Sequence, residues 1–343
     1  MDVFLQQLIN GLVLGGIYAL IAVGYTMVYG IIQLINFAHG EVFMLGAYFA
    51  FTLVAFFHLP FWVAVPISML LCAGFGLLMD FVAYRPIRNA PRLSALITAI
   101  GVSIALQNIA RIIWGAKPQP FPEETLPSFL QQVNPLEEPN IYFSFLGINF
   151  TEVAIKFPGN VSLAYLDLSI ILLAVILMVG LNRIVSLTKI GKAMRACAQN
   201  RTASNLMGIK TNQVIAITFA IGSALGAIAG VMVGVREYIE PTMGYYKGVA
   251  AFAAAVLGGI GNITGAMVGG LLMGIAEVFG AGYIDPIIEF IATNVGLGEY
   301  YEAGTISNSY GSGYRVAISY IVMIIVILIR PTGLFGKSTG HRA

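Results

Sequence analysis

Long apolar stretches separated by polar segments dominate the chain. Eight of them can be delimited, at residues 3–34, 42–57, 61–83, 93–115, 166–187, 214–235, 249–280 and 316–329. Most approach or exceed the roughly 20 residues that an α-helix needs to cross a hydrocarbon core of about 30 Å. The pattern predicts an all-α integral membrane protein with about eight membrane segments, built as one domain over residues 1–343.

One apolar stretch, residues 249–280, is interrupted by the sequence GGIGNITG. The break comes after only about ten apolar residues, too few for a full crossing. The polar segments before and after this stretch are both predicted to lie outside, so the chain between them must enter the membrane and return. We expect a broken or re-entrant helix whose freed backbone groups are buried in protein or line a cavity.

Charged residues indicate the topology. The basic residues form three clusters along the chain. The first contains Arg85, Arg88 and Arg92, the second contains Arg183, Lys189, Lys192, Arg195, Arg201 and Lys210, and the third contains Arg330, Lys337 and Arg342. By the positive-inside rule these clusters face the cytoplasm. Residues 116–165 contain two lysines and residues 281–314 contain neither Lys nor Arg, so both are predicted to be extracytoplasmic segments.

Composition supports a membrane setting and excludes several functions. Only 10% of the residues are charged and the mean hydropathy is +0.85, against roughly 25% charged residues in a soluble domain. A net charge of +2 gives no reason to expect nucleic-acid binding. The phosphate-loop spacing fails at GLFGKS, because Pro331 stands where the first glycine is needed. We therefore predict no enzyme activity and no metal or cofactor on this chain, so transport would need an ion gradient or a partner.

Glycines recur every four residues in the sixth apolar stretch. They are Gly222, Gly226, Gly230 and Gly234. Small residues at this spacing let helices approach closely in lipid, where the hydrophobic effect does not drive their association. The spacing predicts a helix-packing face.

Four polar residues within membrane stretches need an explanation, because a charge at the bilayer centre costs about 2.5–3.5 kcal/mol. Asn36, His39 and Glu41 lie together in LINFAHGEVFML, and Glu277 lies near the end of the broken stretch. In one interpretation Asn36 and Glu41 cap helix ends, His39 is a hydrogen-bonded neutral imidazole and Glu277 pairs within the bundle. In the other, these residues line a translocation path between broken helices.

The basic loop over residues 188–211 carries a possible docking element. Residues 191–210 predict a short helix followed by a glycine stop, although a solvated loop is the alternative. TASNLMG resembles the E-A-A-x3-G segment of ABC importer permeases, with Thr202, Ala203, Ser204 and Gly208 in register and Thr202 replacing the glutamate. The resemblance implies a coupling helix that docks into a groove on an ATPase subunit, with Arg195 beside it.

Longer motifs extend this resemblance to nearly the whole chain. NGLVLGGIYALIAVGYTMVYGIIQLINFAHGEVFMLGAY, AYRPIR, LITAIGVSIALQN, GKAMRACAQNRTASNLMGI, AAVLGGIGNITGAMVGGLLMGIAE and RPTGLFG stand in the order found in branched-chain amino acid ABC permeases of the LivH type. The chain is identified as resembling that family. The segments 116–165 and 281–314 look longer than in the family's shorter members.

The resemblance implies a multi-pass subunit of the bacterial inner membrane that pairs with a second, homologous permease. Two cytoplasmic ATPases that bind ATP-Mg would drive import, and an extracytoplasmic binding protein would deliver branched-chain or other neutral amino acids. A urea or short-amide permease is the alternative within the family's neighbourhood. An ion-coupled transporter acting alone and a channel are alternatives of other classes.

Overall fold

The computed structural model describes residues 2–34, 36–88, 90–122, 125–127, 130, 141–145, 148–151, 154–157, 161–295 and 315–336. Eleven α-helices lie in these ranges. They are α1 (Asp2–Ile32), α2 (His39–Ala55), α3 (Phe61–Met79), α4 (Arg92–Trp114), α5 (Tyr165–Leu187), α6 (Lys189–Gln199), α7 (Arg201–Leu206), α8 (Thr211–Arg236), α9 (Met243–Gly258), α10 (Ile263–Asn294) and α11 (Arg315–Ile329). A π-helical turn, Asp80–Tyr84, continues α3.

The helices match the apolar stretches of the sequence. Within the described residues, six helices are long and apolar enough to cross a membrane: α1, α3 with its π turn, α4, α5, α8 and α10. Two shorter apolar helices, His39–Ala55 and Ala317–Ile329, join them. The prediction of an all-α membrane protein with broken segments is confirmed.

The predicted break lies between α9 and α10, at residues 259–262. Gly259 and Gly261 adopt φ of 100° and 95°, which favours glycine, and Asn262 caps α10 by accepting from the Gly265 amide (3.1 Å). The segment after α11 satisfies the end of α9, because the Leu334 amide donates to the Leu257 carbonyl (2.8 Å). The end of α9 is therefore bonded to protein, as expected for a broken helix, whereas Gly261 in the turn itself is exposed.

Glycines let three helices meet backbone to backbone. A Cβ on Gly15 of α1 would lie 2.8 Å from the Leu271 Cα of α10, and one on Gly11 would lie 2.9 Å from the Ile275 Cα. On the opposite face of α10, a Cβ on Gly269 would lie 2.8 Å from the Gly258 amide of α9. Close packing by small residues replaces the hydrophobic effect as the source of stability here.

Two features of the polar segments differ from the expectation. Residues 116–165 contain a four-stranded antiparallel sheet in the order β2 (Ile141–Phe145), β3 (Ile148–Thr151), β4 (Ala154–Lys156) and β5 (Ser162–Ala164), while β1 (Gln119–Pro120) pairs with β6 (Tyr238–Ile239). The apolar run was expected to end at Gly280, but α10 continues to Asn294. Residues 131–140 and 296–314 lie outside the described residues.

The helix continues past Gly280 because neighbours cover its glycines. A Cβ on Gly280 would lie 2.6 Å from the Ile318 side chain of α11, and one on Gly282 would lie 2.8 Å from the Gln7 amide nitrogen of α1. Packing on both sides holds the glycines in helical conformation. The local sequence alone gives no sign of this support.

The bundle has two chemically different ends. At the sheet end, Gln6 near the start of α1 accepts from the Ser162 amide of β5 (2.9 Å). At the basic end lie the C-terminus of α1, helices α6 and α7, and the turn between α9 and α10, where Gly30 meets Gly261. The prediction that the basic end is cytoplasmic stays a prediction.

Candidate functional site

Helices α2 and α9 both begin inside the bundle, and their first turns touch. The two helices have 17 and 16 residues, which is about 25 Å and 24 Å of length and short for a complete crossing. A Cβ on Gly40 would lie 3.0 Å from the Gly248 Cα, and one on Gly244 would lie 2.7 Å from the Gly40 carbonyl oxygen. Glycine at these positions brings the two helix N-termini into contact.

Glu41 lies at this contact and is fully buried. Its Oε1 accepts hydrogen bonds from the Ser103 hydroxyl (2.8 Å) and the Gln107 amide (2.9 Å), both on α4. Its Oε2 faces Gly244 and has no hydrogen-bond partner among the described residues. The expected capping role is wrong, because Ala38 is the N-cap of α2 and Glu41 binds another helix.

A cavity of about 660 Å³ lies beside Glu41. Ser103 and Gln107 form part of its wall, with Tyr25, Thr242 and Tyr245. The remaining wall is apolar or aromatic and comprises Phe37, Leu96, Ile100, Ile104, Tyr246 and Val249. The volume falls within the roughly 300–1,000 Å³ of small-molecule pockets, which are also mainly apolar with a few polar groups.

His39 packs between helices rather than in this wall. Its ring meets the Tyr25 ring edge-on, with 4.9 Å between the ring centroids. Glycines on α8 leave room for the imidazole, because a Cβ on Gly222 or Gly226 would lie 3.6 Å or 3.9 Å from the His39 Cε1. The Nε2 atom has no hydrogen-bond partner among the described residues. The expectation of a hydrogen-bonded imidazole is therefore wrong at Nε2.

Asn36 is also buried and also caps no helix. Its Oδ1 accepts from the Tyr84 hydroxyl (2.6 Å) at the end of the π turn. This bond ties the segment between α1 and α2 to α3 across 48 residues of sequence. The capping interpretation of Asn36 is wrong.

Glu277 belongs to a different cluster. Its carboxylate accepts from the Tyr18 hydroxyl of α1 (2.9 Å and 3.1 Å) and from the Ser319 hydroxyl of α11 (2.7 Å). It joins three helices and is not part of the wall of the 660 Å³ cavity. Of the four predicted path residues, the structure places Glu41 against a wall of the cavity and Glu277 within a helix-packing cluster.

Ser103 and Gln107, which hold Glu41, were not predicted from the sequence. Ser103 and Gln107 are spaced i, i+4 in the apolar stretch LITAIGVSIALQN, so they share one helix face. Two polar residues on one face of a membrane helix are a signal of a buried polar contact. Thr242 and Tyr245 carried no comparable signal.

The predicted glycine face on α8 contains one position without space. A Cβ on Gly230 would lie 2.9 Å from the Phe43 carbonyl carbon of α2, and still closer to its oxygen. A Cβ on Gly222 or Gly226 would lie 3.6 Å or 3.8 Å from its nearest neighbouring atom. A Cβ on Gly234 would lie 3.0 Å from the Ile239 side chain. Gly230 is therefore the strictest contact of the four.

The basic end presents helices α6 and α7. Asn200 caps α7 by accepting from the Ala203 amide (2.9 Å), and Gly208 ends the segment with φ of 82°. Thr202 and Ala203 are exposed whereas Ser204 is buried, and its hydroxyl donates to the Asn200 carbonyl (2.8 Å). Leu206 and Met207 are 85% and 82% exposed. This segment offers a small exposed surface with apolar side chains.

Two arginines attach this segment to the bundle. Arg195 donates to the Val185 carbonyl at the end of α5. Arg201, which the sequence analysis did not single out for this segment, donates to the carbonyls of Ile31 (3.1 Å) and Ile32 (2.6 Å) at the end of α1. Burial and neighbouring Arg88 lower the pKa of Arg201, but arginine stays protonated in proteins.

Among the described residues, no group of three His, Cys, Asp or Glu side chains could hold a metal ion.

Comparisons with known proteins match almost the whole chain. The family described as branched-chain amino acid transport system, permease component, matches residues 7–329. The chain is 39% identical to the high-affinity branched-chain amino acid transport system permease protein BraD of Pseudomonas aeruginosa, over 97% of this chain and 96% of that protein.

Two further relatives come from Escherichia coli K12. The permease protein LivH of the high-affinity branched-chain amino acid transport system is 37% identical, over 97% of this chain and 96% of LivH. The permease protein LivM of that system is 24% identical over 72% of this chain and 57% of LivM. No solved structure matches. This chain belongs to the branched-chain amino acid transport permease family.

Proposed function

We propose that this chain is a permease subunit of an ATP-driven importer of branched-chain or other neutral amino acids in the bacterial inner membrane. The single observation that carries the proposal is the 660 Å³ cavity beside the contact of α2 and α9, with the buried Glu41 carboxylate next to its wall. Broken helices that meet inside a bundle are typical of substrate sites in transporters.

The exposed surface of α6 and α7 supports docking of ATPases at the basic end. Thr202, Ala203, Leu206 and Met207 are available to a partner there. Arg201 connects that surface to the last residues of α1, Ile31 and Ile32, directly before the segment that leads to Asn36 and Glu41. Two partner ATPases with bound ATP-Mg would therefore act on the start of α2 through α1.

The similarity to both LivH and LivM supports a second, related permease as partner. α4 carries exposed apolar residues beside the cavity, among them Ile97, Ile100 and Ile104. The second permease would complete the path on this open side. A substrate-binding protein would dock at the sheet end.

The proposal is tested by leucine uptake into proteoliposomes that contain both permeases, the ATPases and the binding protein. We expect uptake that requires ATP hydrolysis and disappears when the ATPases are left out. Uptake by this chain alone, driven by an ion gradient, would contradict the proposal. A flux that does not saturate, or uptake of urea in preference to leucine, would favour a channel or an amide permease instead.

A further inference from the structure

We infer that Glu41 and the N-terminus of α9 form a binding site for the zwitterionic backbone of an amino acid, at one end of the 660 Å³ cavity. Glu41 binds the ammonium group and the first turn of α9 binds the carboxylate. The inference rests on the proposed import function and adds to it the chemistry by which substrate is recognised inside the membrane.

Glu41 supplies the anionic half of the site. Its Oε1 is held by Ser103 and Gln107, which fix the direction of the carboxylate. Its Oε2 is buried and lacks a hydrogen-bond partner among the described residues, where no ion pair to Glu41 occurs either. A buried charge without a partner is costly, so a ligand ammonium that reaches Oε2 past the cavity wall at Ser103 and Gln107 would satisfy a carboxylate oxygen that the protein leaves without a hydrogen bond.

Helix α9 supplies the cationic half. It spans 16 residues, and Thr242 at its N-cap makes no side-chain capping bond. The N-terminus of a helix carries a partial positive charge that favours a carboxylate. The Met243 and Tyr245 amides donate to the Glu240 and Thr242 carbonyls (3.2 and 3.1 Å), which leaves the Gly244 amide as the first-turn donor without a backbone partner among the described residues. Glu41 Oε2 faces Gly244 in this first turn. The anionic and cationic groups are therefore adjacent, as the two ends of a zwitterion require.

The rest of the cavity fits an apolar side chain. Leu96, Ile100 and Ile104 on α4 face Val249 on α9, and Phe37 adds an aromatic wall. A branched aliphatic side chain is favoured in such surroundings because its apolar surface is removed from water. Urea and short amides carry neither the charges nor the apolar group, so this site favours neutral amino acids.

The test measures binding of tritiated leucine at pH 7 to the purified complex of both permeases and the ATPases, without ATP and without the binding protein. The competitors are leucine, 4-methylpentanoate, which lacks the ammonium group, and leucinamide, which lacks the carboxylate. Because hydrogen bonds to charged groups are the stronger ones, we expect both analogues to compete roughly tenfold to a hundredfold more weakly than leucine. Equal competition by all three compounds, or no leucine binding, would overturn the inference.

Two Glu→Gln variants assign the ammonium to Glu41. In Glu41→Gln we expect leucine and 4-methylpentanoate to compete equally, while leucinamide stays weaker. Glu289→Gln makes the same change at an exposed carboxylate of α10 and is expected to keep the wild-type order. If Glu41→Gln keeps the preference for leucine over 4-methylpentanoate, Glu41 does not bind the ammonium.

The binding site and the import function can be refuted separately. ATP-dependent leucine uptake together with binding that does not distinguish the analogues would refute this site and leave the import function standing. Absence of ATP-dependent uptake by the complete complex would refute the import function itself.

Discussion

Replacing Gly230 by alanine is expected to force α8 away from α2. The new Cβ would lie 2.9 Å from the Phe43 carbonyl carbon and 3.2 Å from the Ala47 amide nitrogen. Ordinary carbon contacts are about 3.5 Å, so the helices must separate by at least roughly 0.6 Å. Overpacking of this kind costs about 1–3 kcal/mol, whereas replacing a helical glycine by alanine returns about 0.5–1 kcal/mol. The difference between these terms is a net loss of up to about 2.5 kcal/mol.

Thermal unfolding of the purified protein measures this loss through the buried thiols of Cys72 and Cys197, which become reactive towards a fluorogenic maleimide as the bundle opens. Gly226→Ala is the matched control one turn away, because its Cβ would find its nearest neighbour at 3.8 Å. We expect Gly230→Ala to unfold at a lower temperature and Gly226→Ala to match or exceed the wild type. Equal stability of the two variants would refute the packing argument.

Three further changes have defined outcomes. Arg201→Ala removes the contact between α7 and the end of α1, so we expect the ATPases to co-purify and hydrolyse ATP while leucine uptake per ATP falls severalfold. Tyr18→Phe removes a hydroxyl that donates to both oxygens of buried Glu277, which should lower stability by about 1–3 kcal/mol in the thiol assay. Gly333→Ala places a Cβ 2.6 Å from the Gly259 amide at φ of 75°, so it should lower stability by at least about 1–2 kcal/mol, the cost of the left-handed conformation alone.

Each change has a control. Arg201→Lys keeps the charge but loses the forked geometry and should recover only part of the coupling, whereas Arg183→Gln removes an exposed positive charge near the same end and should leave coupling intact. If Arg201→Ala loses ATPase binding and uptake together, the residue serves docking rather than coupling. Unchanged unfolding temperatures in Tyr18→Phe or Gly333→Ala would contradict the described contacts.

The helices and the break could be predicted because each depends on local sequence. An apolar run of about 20 residues specifies a membrane helix. The glycines around Asn262 interrupt such a helix whatever the arrangement of the neighbouring helices. The end of α10 could not be predicted, since Gly280 and Gly282 stay helical only because Ile318 and Gln7 pack on them.

The functions of the polar residues were harder to predict because their partners are distant in sequence. Glu41 binds Ser103 and Gln107, which lie 62 and 66 residues away, and Asn36 binds Tyr84. Local reasoning treated these side chains as caps of their own helix. Because burial of a polar side chain in a membrane is costly, each of these residues was correctly expected to need a partner. The fold decides which partner it is.

The most direct test of whether the cavity beside Glu41 lies on the substrate path is the ratio of leucine transported to ATP hydrolysed. This ratio is compared between the wild-type complex and the Glu41→Gln complex. The account predicts that the variant assembles with its ATPases and hydrolyses ATP, while uptake per ATP falls at least roughly tenfold through the lost ammonium contact. An unchanged ratio in an assembled, active Glu41→Gln complex would contradict the account.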